Sequence, residues 1–441
     1  MSSAQTTEGA ARLQSAPAAP GSRAWIALGM LCFVYVLNFL SRQLPAILAK
    51  PIQDSLHVSD GKLGLVGGLY FALFYCFISI PVGWIADRSN RSIVLTVACA
   101  IWSTATMCCG IAASYPQFVA AYMTVGFGEA GGVPPSYSII SDYFPTGRRG
   151  TALGLFNLGP AIGATLGIAF GAAIAAAFSW RYAFLILGGA GLFVSLGVPL
   201  LAPEPRRGAL DGIAGHVASN KTRFWQSLVM FFSRPSLTLA AVASGANQFI
   251  TYGLVNFAVL FLMREKGMAL KQVAIWYALV VLIGVGGAMF VSGRLIDRFT
   301  RSSKQAYALV PAASLVFAIP FYLLFVWAPS WHLALLFLVC TMFLNYFYLS
   351  SMVTLVQEEV RPDQRVMSGA LLLLVMNFIG LGLGPTYVGA ASDFFHATHP
   401  GHSLQMALYT LAPFYVVAIL LFLVLARMLF NERRAAEVRS Q

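Results

Sequence analysis

Twelve long apolar segments dominate the sequence and most constrain its fold. Each is at least as long as the roughly 20 residues that an α-helix needs to cross the hydrocarbon of a bilayer. They lie at 24–49, 61–86, 92–113, 117–143, 149–177, 181–202, 236–263, 271–296, 305–328, 332–356, 366–392 and 404–429. With 58% hydrophobic and only 10% charged residues, a water-soluble core could not cover them. Because they show no strand-like alternation, the sequence predicts an all-α integral membrane protein with twelve transmembrane helices.

The basic residues predict how these helices are oriented. Of the 28 Lys and Arg residues, 21 lie on the side of the predicted bundle that carries both termini, and Arg42 lies inside a segment. The remaining six are Lys50, Lys62, Arg181, Arg264, Lys266 and Lys271. The positive-inside rule therefore predicts cytoplasmic termini in a cell's inner (plasma) membrane. The net charge of +12 is explained by topology, and no nucleic-acid partner is expected.

One long polar break, at 203–235, divides the segments into six plus six. Its apolar residues Phe224, Trp225, Leu228, Phe231 and Phe232 recur at helical spacing, which is typical of a short helix lying on a membrane interface. We expect a disordered cytoplasmic tail at 1–23, six-helix bundles at 24–202 and 236–430, the linker with its interfacial helix at 203–235, and a second cytoplasmic tail at 431–441.

Charged turns repeat between the two halves. Gly83-x3-Asp87-Arg88-x2-Arg91 closes the second segment, and Gly293-x3-Asp297-Arg298-x2-Arg301 closes the eighth. Asp142-x5-Arg148 and Glu359-x5-Arg365 form a second pair of matches, and Gly159-Pro160 and Gly384-Pro385 a third. Several matches in register indicate a duplicated six-helix unit, which is how one large class of transporters is built.

These turns, the sequence GLFNLGPAIG and the layout of six plus six helices resemble the major facilitator superfamily. NFLSRQLPAIL in the first segment, VGFGEA in the fourth and YGLVNF in the seventh resemble its spinster family. The resemblance implies two pseudo-symmetric six-helix bundles and transport, because the spinster family is associated with the export of sphingosine-1-phosphate and lysophospholipids. It also implies that the first and fourth helices line a central cavity.

The charged turns are expected to form a cytoplasmic gate where the two halves meet. In that gate, Asp87 would bind the start of the eleventh helix, whose dipole favours an anion. The other expected members are Arg88, Arg91, Asp142, Arg148, Arg149, Asp297, Arg298 and Arg301. Asn90 stands where the superfamily usually has Gly, which suggests a left-handed backbone at that position. Ordinary loop charges that stabilise topology remain the alternative interpretation.

Two ionisable residues, Arg42 and Glu129, lie far from the ends of their segments. A charge at the centre of a membrane costs roughly 2.5–3.5 kcal/mol on insertion scales, so such residues usually face a cavity or a partner. The planar fork of an arginine binds phosphate oxygens, and a glutamate in a low dielectric favours its neutral form and can carry a proton. A static ion pair that joins two helices is the alternative.

The sequence departs from the spinster pattern beside both charges. Ser41 stands where that family usually has an acid, and Tyr122 stands where it usually has an arginine. One acid and one base are therefore missing together, which leaves Arg42 and Glu129 as the evident pair. These departures put in doubt whether the family's proton-linked mechanism applies.

Further polar side chains recur at helical spacing in helices that would line the cavity. They are Asn38, Gln248, Tyr252, Asn256, Tyr346 and Tyr348. Each either contacts substrate or joins neighbouring helices, and both roles remain open. Polar groups beside aromatic ones suit an amphiphile better than a sugar.

The leading hypothesis is a secondary active transporter, not an enzyme, that moves an amphiphilic anionic lipid by alternating access. Sphingosine-1-phosphate-like lipids and lysophospholipids are the expected cargo, the bilayer is the other partner, and protons are the candidate coupling ion. A multidrug exporter or an organic-anion or sugar transporter of the same fold is the alternative. We expect a monomer without a metal or cofactor, and no phosphate-binding Gly-x4-Gly-Lys loop for ATP is present.

Overall fold

The computed structural model describes residues 21–206, 224–300, 303–360 and 364–440, and nearly all of them are helical. The first half contains the α-helices Ser22–Ile47, Ala49–Leu56, Asp60–Leu65, Phe71–Arg88, Arg91–Ile111, Tyr115–Glu129, Val133–Tyr143, Thr146–Phe156, Gly159–Ala177 and Trp180–Leu201. The linker contains Phe224–Ser233. The second half contains Pro235–Arg264, Leu270–Gln272, Ala278–Val281, Gly287–Thr300, Ala306–Trp327, Trp331–Asn345, Phe347–Glu359, Arg365–Asn377, Gly384–His396, Ser403–Tyr409 and Ala412–Ser440. The π-helical turns are Val66–Tyr70, Val273–Tyr277, Leu282–Gly286 and Phe378–Leu383.

These helices form twelve membrane spans. Within the described residues, eleven helical segments are long and apolar enough to cross a bilayer. The remaining span, at 115–143, is interrupted by a turn at 130–132. We number the spans 1 to 12 in chain order. Because their number is even, residues 21 and 440 lie on one side of the bundle, which we call the terminus side, and the opposite side is the far side.

Proline and glycine explain where spans 4, 5 and 11 are interrupted. Pro160 and Pro385 each stand in the first turn of a new helix, where a proline is tolerated because no donor is needed. The residues before these helices form a turn at Asn157–Leu158 and the π-helical turn Phe378–Leu383. In span 4, Val133-Pro134-Pro135 starts the second helix in the same way. The repeated Gly-Pro pairs therefore occupy matching breaks in the two halves.

The small residues of spans 5 and 11 serve different interfaces. In span 5 an ideal Cβ at Gly163 would lie 2.4 Å from the Val36 carbonyl oxygen, so this glycine packs span 5 against span 1 of the same half. In span 11 a Cβ at Gly389 would lie 2.4 Å from the Asp60 carbonyl oxygen, across the two halves. Gly163 therefore packs two helices of one half tightly together, whereas Gly389 lies in the interface between the halves.

The halves contact each other through spans 2 and 11, 5 and 8, and 1 and 7. The described contacts of spans 2 and 11 begin at Asp60 on the far side and reach mid-depth, where Cys76 Sγ lies 4.0 Å from the Leu374 carbonyl oxygen and Phe77 packs on Phe378. The charged turn at Asp87 lies about 15 Å beyond that depth, at 1.5 Å per helical residue. The far side is thus closed by direct contact between the halves.

The linker helix Phe224–Ser233 buries Phe231 completely and exposes Val229 and Phe232, a pattern that suits an interfacial helix. Residues 1–20 of the predicted N-terminal tail and residue 441 of the predicted C-terminal tail lie outside the described residues. Helix 1 begins at Ser22. The last helix continues to Ser440, so residues predicted as a C-terminal tail are helical.

Candidate substrate site and gates

Arg42 and Glu129 form an ion pair near the middle of the first half. Arg42 belongs to span 1, and Glu129 is the last residue of the first helix of span 4. Arg42 Nε and Nη2 donate to the same oxygen, Glu129 Oε2, at 2.9 and 2.7 Å. The Glu129 side chain is fully buried and that of Arg42 is 10% exposed. Such a pair neutralises both charges, which makes their position away from water tolerable.

Three aromatic rings surround the guanidinium of Arg42. The ring centroids of Phe39, Phe71 and Tyr75 lie 4.9, 5.0 and 4.6 Å from Arg42 Cζ. Desolvated contacts of this kind hold a cation in place. No acceptor for Arg42 Nη1 is found among the described residues, so one edge of the fork remains available to a ligand.

The expected neighbours of this pair take different positions. Ser41 Oγ donates to the carbonyl oxygens of Leu37 and Asn38 in its own helix, and no further partner for it is found in the described part of the chain. The Tyr122 hydroxyl donates to the Arg42 carbonyl oxygen at 3.4 Å. The buried Asn38 Nδ2 and Glu129 Oε1 have no hydrogen-bond partner among the described residues. Asn38 nevertheless lies within side-chain hydrogen-bonding range of the Glu129 carboxylate, so this donor and acceptor could satisfy each other after a small shift.

Span 7 faces the pair from the second half. Tyr252 lies within electrostatic range of the Arg42 guanidinium, and Asn256 Nδ2 donates to the Tyr252 carbonyl oxygen at 3.0 Å. Gln248 Nε2 donates to Asn377 Oδ1 in span 11 at 3.0 Å, and the Gln248 side chain also lies within hydrogen-bonding range of Tyr252. Gln248, Tyr252 and Asn256, which we call the stripe of span 7, thus join the central site to span 11.

The residues of span 10 lie at another break in a helix. Tyr346 ends the helix Trp331–Asn345, and the helix Phe347–Glu359 follows at once. Tyr348 is almost fully buried. Tyr346 and Tyr348 both lie within electrostatic range of Tyr252, so the structure brings the two tyrosines towards the stripe of span 7.

A second charged cluster closes the far side, and it includes residues that the sequence did not mark as functional. Asp60 begins span 2 and Arg264 ends span 7, so they belong to opposite halves. Arg264 Nη1 and Nη2 donate to Asp60 Oδ1 and Oδ2 at 2.9 and 2.8 Å. Gln53 Nε2 and Ser392 Oγ each donate to the same carboxylate at 2.6 Å. We call Asp60, Arg264 and Ser392 the far-side gate.

Backbone contacts extend the far-side gate along spans 2 and 11. The Gly61 nitrogen donates to Asp393 Oδ2 at 3.0 Å, and the Leu69 nitrogen donates to Thr386 Oγ1 at 3.2 Å. An ideal Cβ at Gly64 would lie 2.4 Å from the Pro385 carbonyl oxygen, so only glycine permits this approach. Arg264 was one of six basic residues on the far side, and that rarity was the signal that could have identified it.

On the terminus side, Arg91 has unexpected partners. Its Nη1 donates to Asp142 Oδ2 and Ser138 Oγ, both at 2.6 Å, and its Nε donates to Glu204 Oε1 at 2.7 Å. These contacts stay within the first half and the start of the linker. Because span 2 ends at Arg88 and a new helix starts at Arg91, Asp87 and Arg91 are not neighbours on one helix.

Among the other expected gate residues, the described side-chain hydrogen bonds stay within the first half. Arg88 Nη1 donates to the Trp84 carbonyl oxygen at 3.4 Å, and its guanidinium packs on the Trp84 ring. Arg149 Nε donates to the Phe144 carbonyl oxygen at 3.3 Å, and Arg148 and Arg298 are exposed. Arg301 and the side chains of Asp87 and Asp297 lie outside what the structure describes.

The expectation of a left-handed backbone at Asn90 is wrong. Its φ is −68°, and its Oδ1 accepts a hydrogen bond from the Ile93 nitrogen at 3.0 Å. Asn90 is thus the N-cap of span 3, because its short side chain satisfies a donor that the first turn of a helix leaves free.

Twelve spans in two similar halves, a charged pair at mid-depth and a gate between the halves define a membrane transporter. The model of the Major Facilitator Superfamily matches residues 31–385, and the chain belongs to this superfamily. It is 29% identical to an MFS-type efflux pump of Mycolicibacterium smegmatis, over 84% of this chain and 85% of the relative. It is 27% identical to protein spinster homolog 3 of Danio rerio, over 94% and 87%.

The fold is similar to that of a bacterial homolog to the human lysosomal transporter Spinster, solved in an inward-facing and unoccupied conformation. The TM-score is 0.86 and the identity 28%, covering 94% of this chain and 99% of that one. The predicted fold and family are therefore confirmed: the chain is a transporter of spinster type, consistent with secondary transport by alternating access. Its relatives are transporters rather than enzymes.

We predict that Asp60→Asn and Arg264→Gln each weaken closure of the far side, by about 1.5–3 kcal/mol, the range for hydrogen bonds to charged groups. Spin labels at His57 and Thr398 lie in the far-side loops of opposite halves. Pulsed electron–electron double resonance should show a larger population of long distances between these two labels. The exposed Cys108 is replaced by Ser in all variants.

The matched control is Asp54→Asn, which removes an exposed pair with Lys50 inside one half and should leave the distances unchanged. A distance distribution that stays the same in Asp60→Asn would show that the far-side gate does not hold the halves together.

Proposed function

We propose that this protein moves an amphiphilic anionic lipid, a sphingosine-1-phosphate-like lipid or a lysophospholipid, across the inner membrane by alternating access. The observation that carries the proposal is the Nη1 edge of Arg42, which meets no acceptor among the described residues and lies between Phe39, Phe71 and Tyr75. A phosphate would bind that edge, because arginine forms charge-assisted bonds to oxyanions. The rings beside it would pack against the apolar part of an amphiphile.

Glu129 is the proposed proton carrier. Its Oε2 accepts both bonds from Arg42, whereas its Oε1 is buried and accepts no hydrogen bond from the described residues in this geometry. When the carboxyl group takes a proton it loses its charge, and the ion pair with Arg42 weakens. Arg42 is then free to bind a phosphate with a second edge of its fork. Proton and substrate would thus be coupled through one side chain.

The terminus side is proposed to be cytoplasmic, on the positive-inside rule. The closed far side then corresponds to an inward-open state, in agreement with the inward-facing conformation of the similar bacterial spinster homolog. Opening outward would break the bonds of Asp60 to Arg264 and Ser392. The turns at Asp87 and Asp297 would close the cytoplasmic side in that state. Each copy contains both halves and would work as a monomer.

Efflux of hydrophobic drugs is a second candidate, because a relative at 29% identity is named an MFS-type efflux pump. The two candidates differ in their need for Arg42, because a neutral or cationic drug has no phosphate for the guanidinium to bind. A thermal-shift screen of the purified protein with lysophospholipids and with drugs would distinguish them.

We predict that Arg42→Lys impairs transport of a lysophosphatidate far more than that of an uncharged monoacylglycerol. Lysine keeps the charge and loses the planar fork, and the loss of one charge-assisted bond corresponds to at least about tenfold in rate. Release of labelled lipid from proteoliposomes measures the effect, with the exposed Arg427→Lys as control. An equal loss for both lipids would favour a purely structural ion pair.

We predict that Glu129→Gln abolishes accumulation driven by a pH gradient and retains exchange of substrate at equal pH, because glutamine keeps the shape and cannot titrate. Counterflow and gradient-driven uptake in the same proteoliposomes separate the two. Glu358→Gln, at an exposed terminus-side residue, is the control and should retain both activities. Uphill transport in Glu129→Gln would exclude this residue as the proton carrier.

We predict that Asp87→Asn favours the state that is open on the terminus side, because the proposed gate would lose an anion at the start of span 11. With substrate present, spin labels at Ser89 and Gln305 should show a larger long-distance fraction than in the parent protein. Asp54→Asn again serves as control. Identical distributions would argue that the charged turn stabilises topology alone.

A further inference from the structure

A groove on the outer surface of the first half lies apart from the central site. Its volume is about 920 Å³, and it runs between span 3 and the first helix of span 4. The walls are mainly apolar or small, and include Ala100, Ala120 and Ala121. Along span 3 it extends from Val97 to Ala112, a length of about 22 Å at 1.5 Å per residue.

The groove lies on the outer surface of the bundle, and its exposed residues are not covered by any other described part of the chain. Val97 and Ile111 on its rim are 51% and 68% exposed, and Thr104, Cys108 and Thr124 in the groove are exposed as well. Span 3 ends at Ile111 and span 4 begins at Tyr115, so the groove opens towards the far side. Its length exceeds one leaflet, which is about half of the 30 Å of hydrocarbon.

An arginine stands at the far-side end of the groove. Arg181 Nη1 donates to the carbonyl oxygens of Ala112 and Gly110 at 2.6 and 3.3 Å, and Ala112 is part of the groove wall. No acceptor for its Nε and Nη2 is found among the described residues, and none of the described ion pairs includes it. One edge of this fork is fixed to the groove, and the other is available to an anion.

Exposed aromatic residues place Arg181 at the membrane surface, and Lys62 adds a second positive charge on the same side. Phe178 and Tyr182 beside it are 74% and 53% exposed, as is typical of aromatic residues at a bilayer interface. Lys62 Nζ lies 5.4 Å from the ring of Tyr115, at the start of span 4, and takes part in none of the described ion pairs. Arg181 and Lys62 are two of the six basic residues on the side that the positive-inside rule disfavours.

We propose that this groove is a binding site for an anionic phospholipid of the far-side leaflet. One acyl chain lies between spans 3 and 4, and the phosphate binds the free edge of Arg181. The apolar walls alone would not select a lipid, because lipid tails are as apolar as the side chains they meet. Selectivity therefore comes from the shape of the groove and from the charge at its end. The site is separate from the substrate site and does not depend on the proposed function.

The test uses the full-length protein in nanodiscs that contain photoactivatable phosphatidylglycerol or phosphatidylcholine with the same diazirine-bearing chain. We expect cross-links on the groove residues of spans 3 and 4, with phosphatidylglycerol favoured by about fivefold, the factor that corresponds to about 1 kcal/mol per basic residue at a membrane surface. Arg181→Gln should reduce labelling by phosphatidylglycerol to the level of phosphatidylcholine. Ala121→Trp should fill the groove and reduce labelling by both lipids.

Ile186→Trp is the matched control, because Ile186 is 47% exposed on span 6, at a similar distance from the far side. It should leave labelling of the groove unchanged. Equal labelling by both lipids, or no effect of Arg181→Gln, would overturn the anionic site. A disulfide between Cys108 residues of two copies under oxidation would show instead that a second copy occupies the groove. Native mass spectrometry of each variant confirms that it is folded.

Discussion

A charge in hydrocarbon must be neutralised, and the Arg42–Glu129 pair meets that constraint at the centre of this protein. The pair joins span 1 to the point where span 4 is broken, and the bond from Tyr122 to the Arg42 carbonyl oxygen joins the same two spans. Removing one partner of a buried pair typically costs about 3–5 kcal/mol, because the other charge is left unpaired. Under the proposed function, a phosphate that binds Arg42 together with a proton that neutralises Glu129 would avoid that penalty, because neither group would be left charged and unpaired.

The two sides of the bundle handle charge differently. On the far side, Arg264 of the second half binds Asp60 of the first, so opening that side would separate opposite charges. On the terminus side, Arg91 binds Asp142 and Glu204 within the first half and the linker, and those bonds can persist while the halves move. A ligand can shift such an equilibrium only by its difference in affinity for the two states. The bonds between Asp60 and Arg264 therefore contribute to the free energy that ligand binding must supply to open the far side.

The fold could be predicted from the sequence because its signals are long and redundant: twelve apolar segments and three motifs repeated between the halves. The pairing of Arg42 with Glu129 was also open to prediction, since two charges at mid-depth need partners. The far-side gate was missed because Asp60 and Arg264 lie at the ends of their spans, where charges are common. Asn90 was misjudged because asparagine suits both a left-handed turn and an N-cap, and only the course of the chain decides between them.

The two departures from the spinster pattern gain a physical explanation from the structure. Ser41 bonds carbonyls of its own helix, and Tyr122 donates to the carbonyl oxygen of Arg42. Both replacements therefore satisfy their own polar groups and leave the ion pair intact, as the joint loss of an acid and a base requires. Among the described residues, Glu129 is then the one carboxylate next to Arg42. Under the proposed coupling it can hold one proton at a time, so this site would pass at most one proton for each turnover.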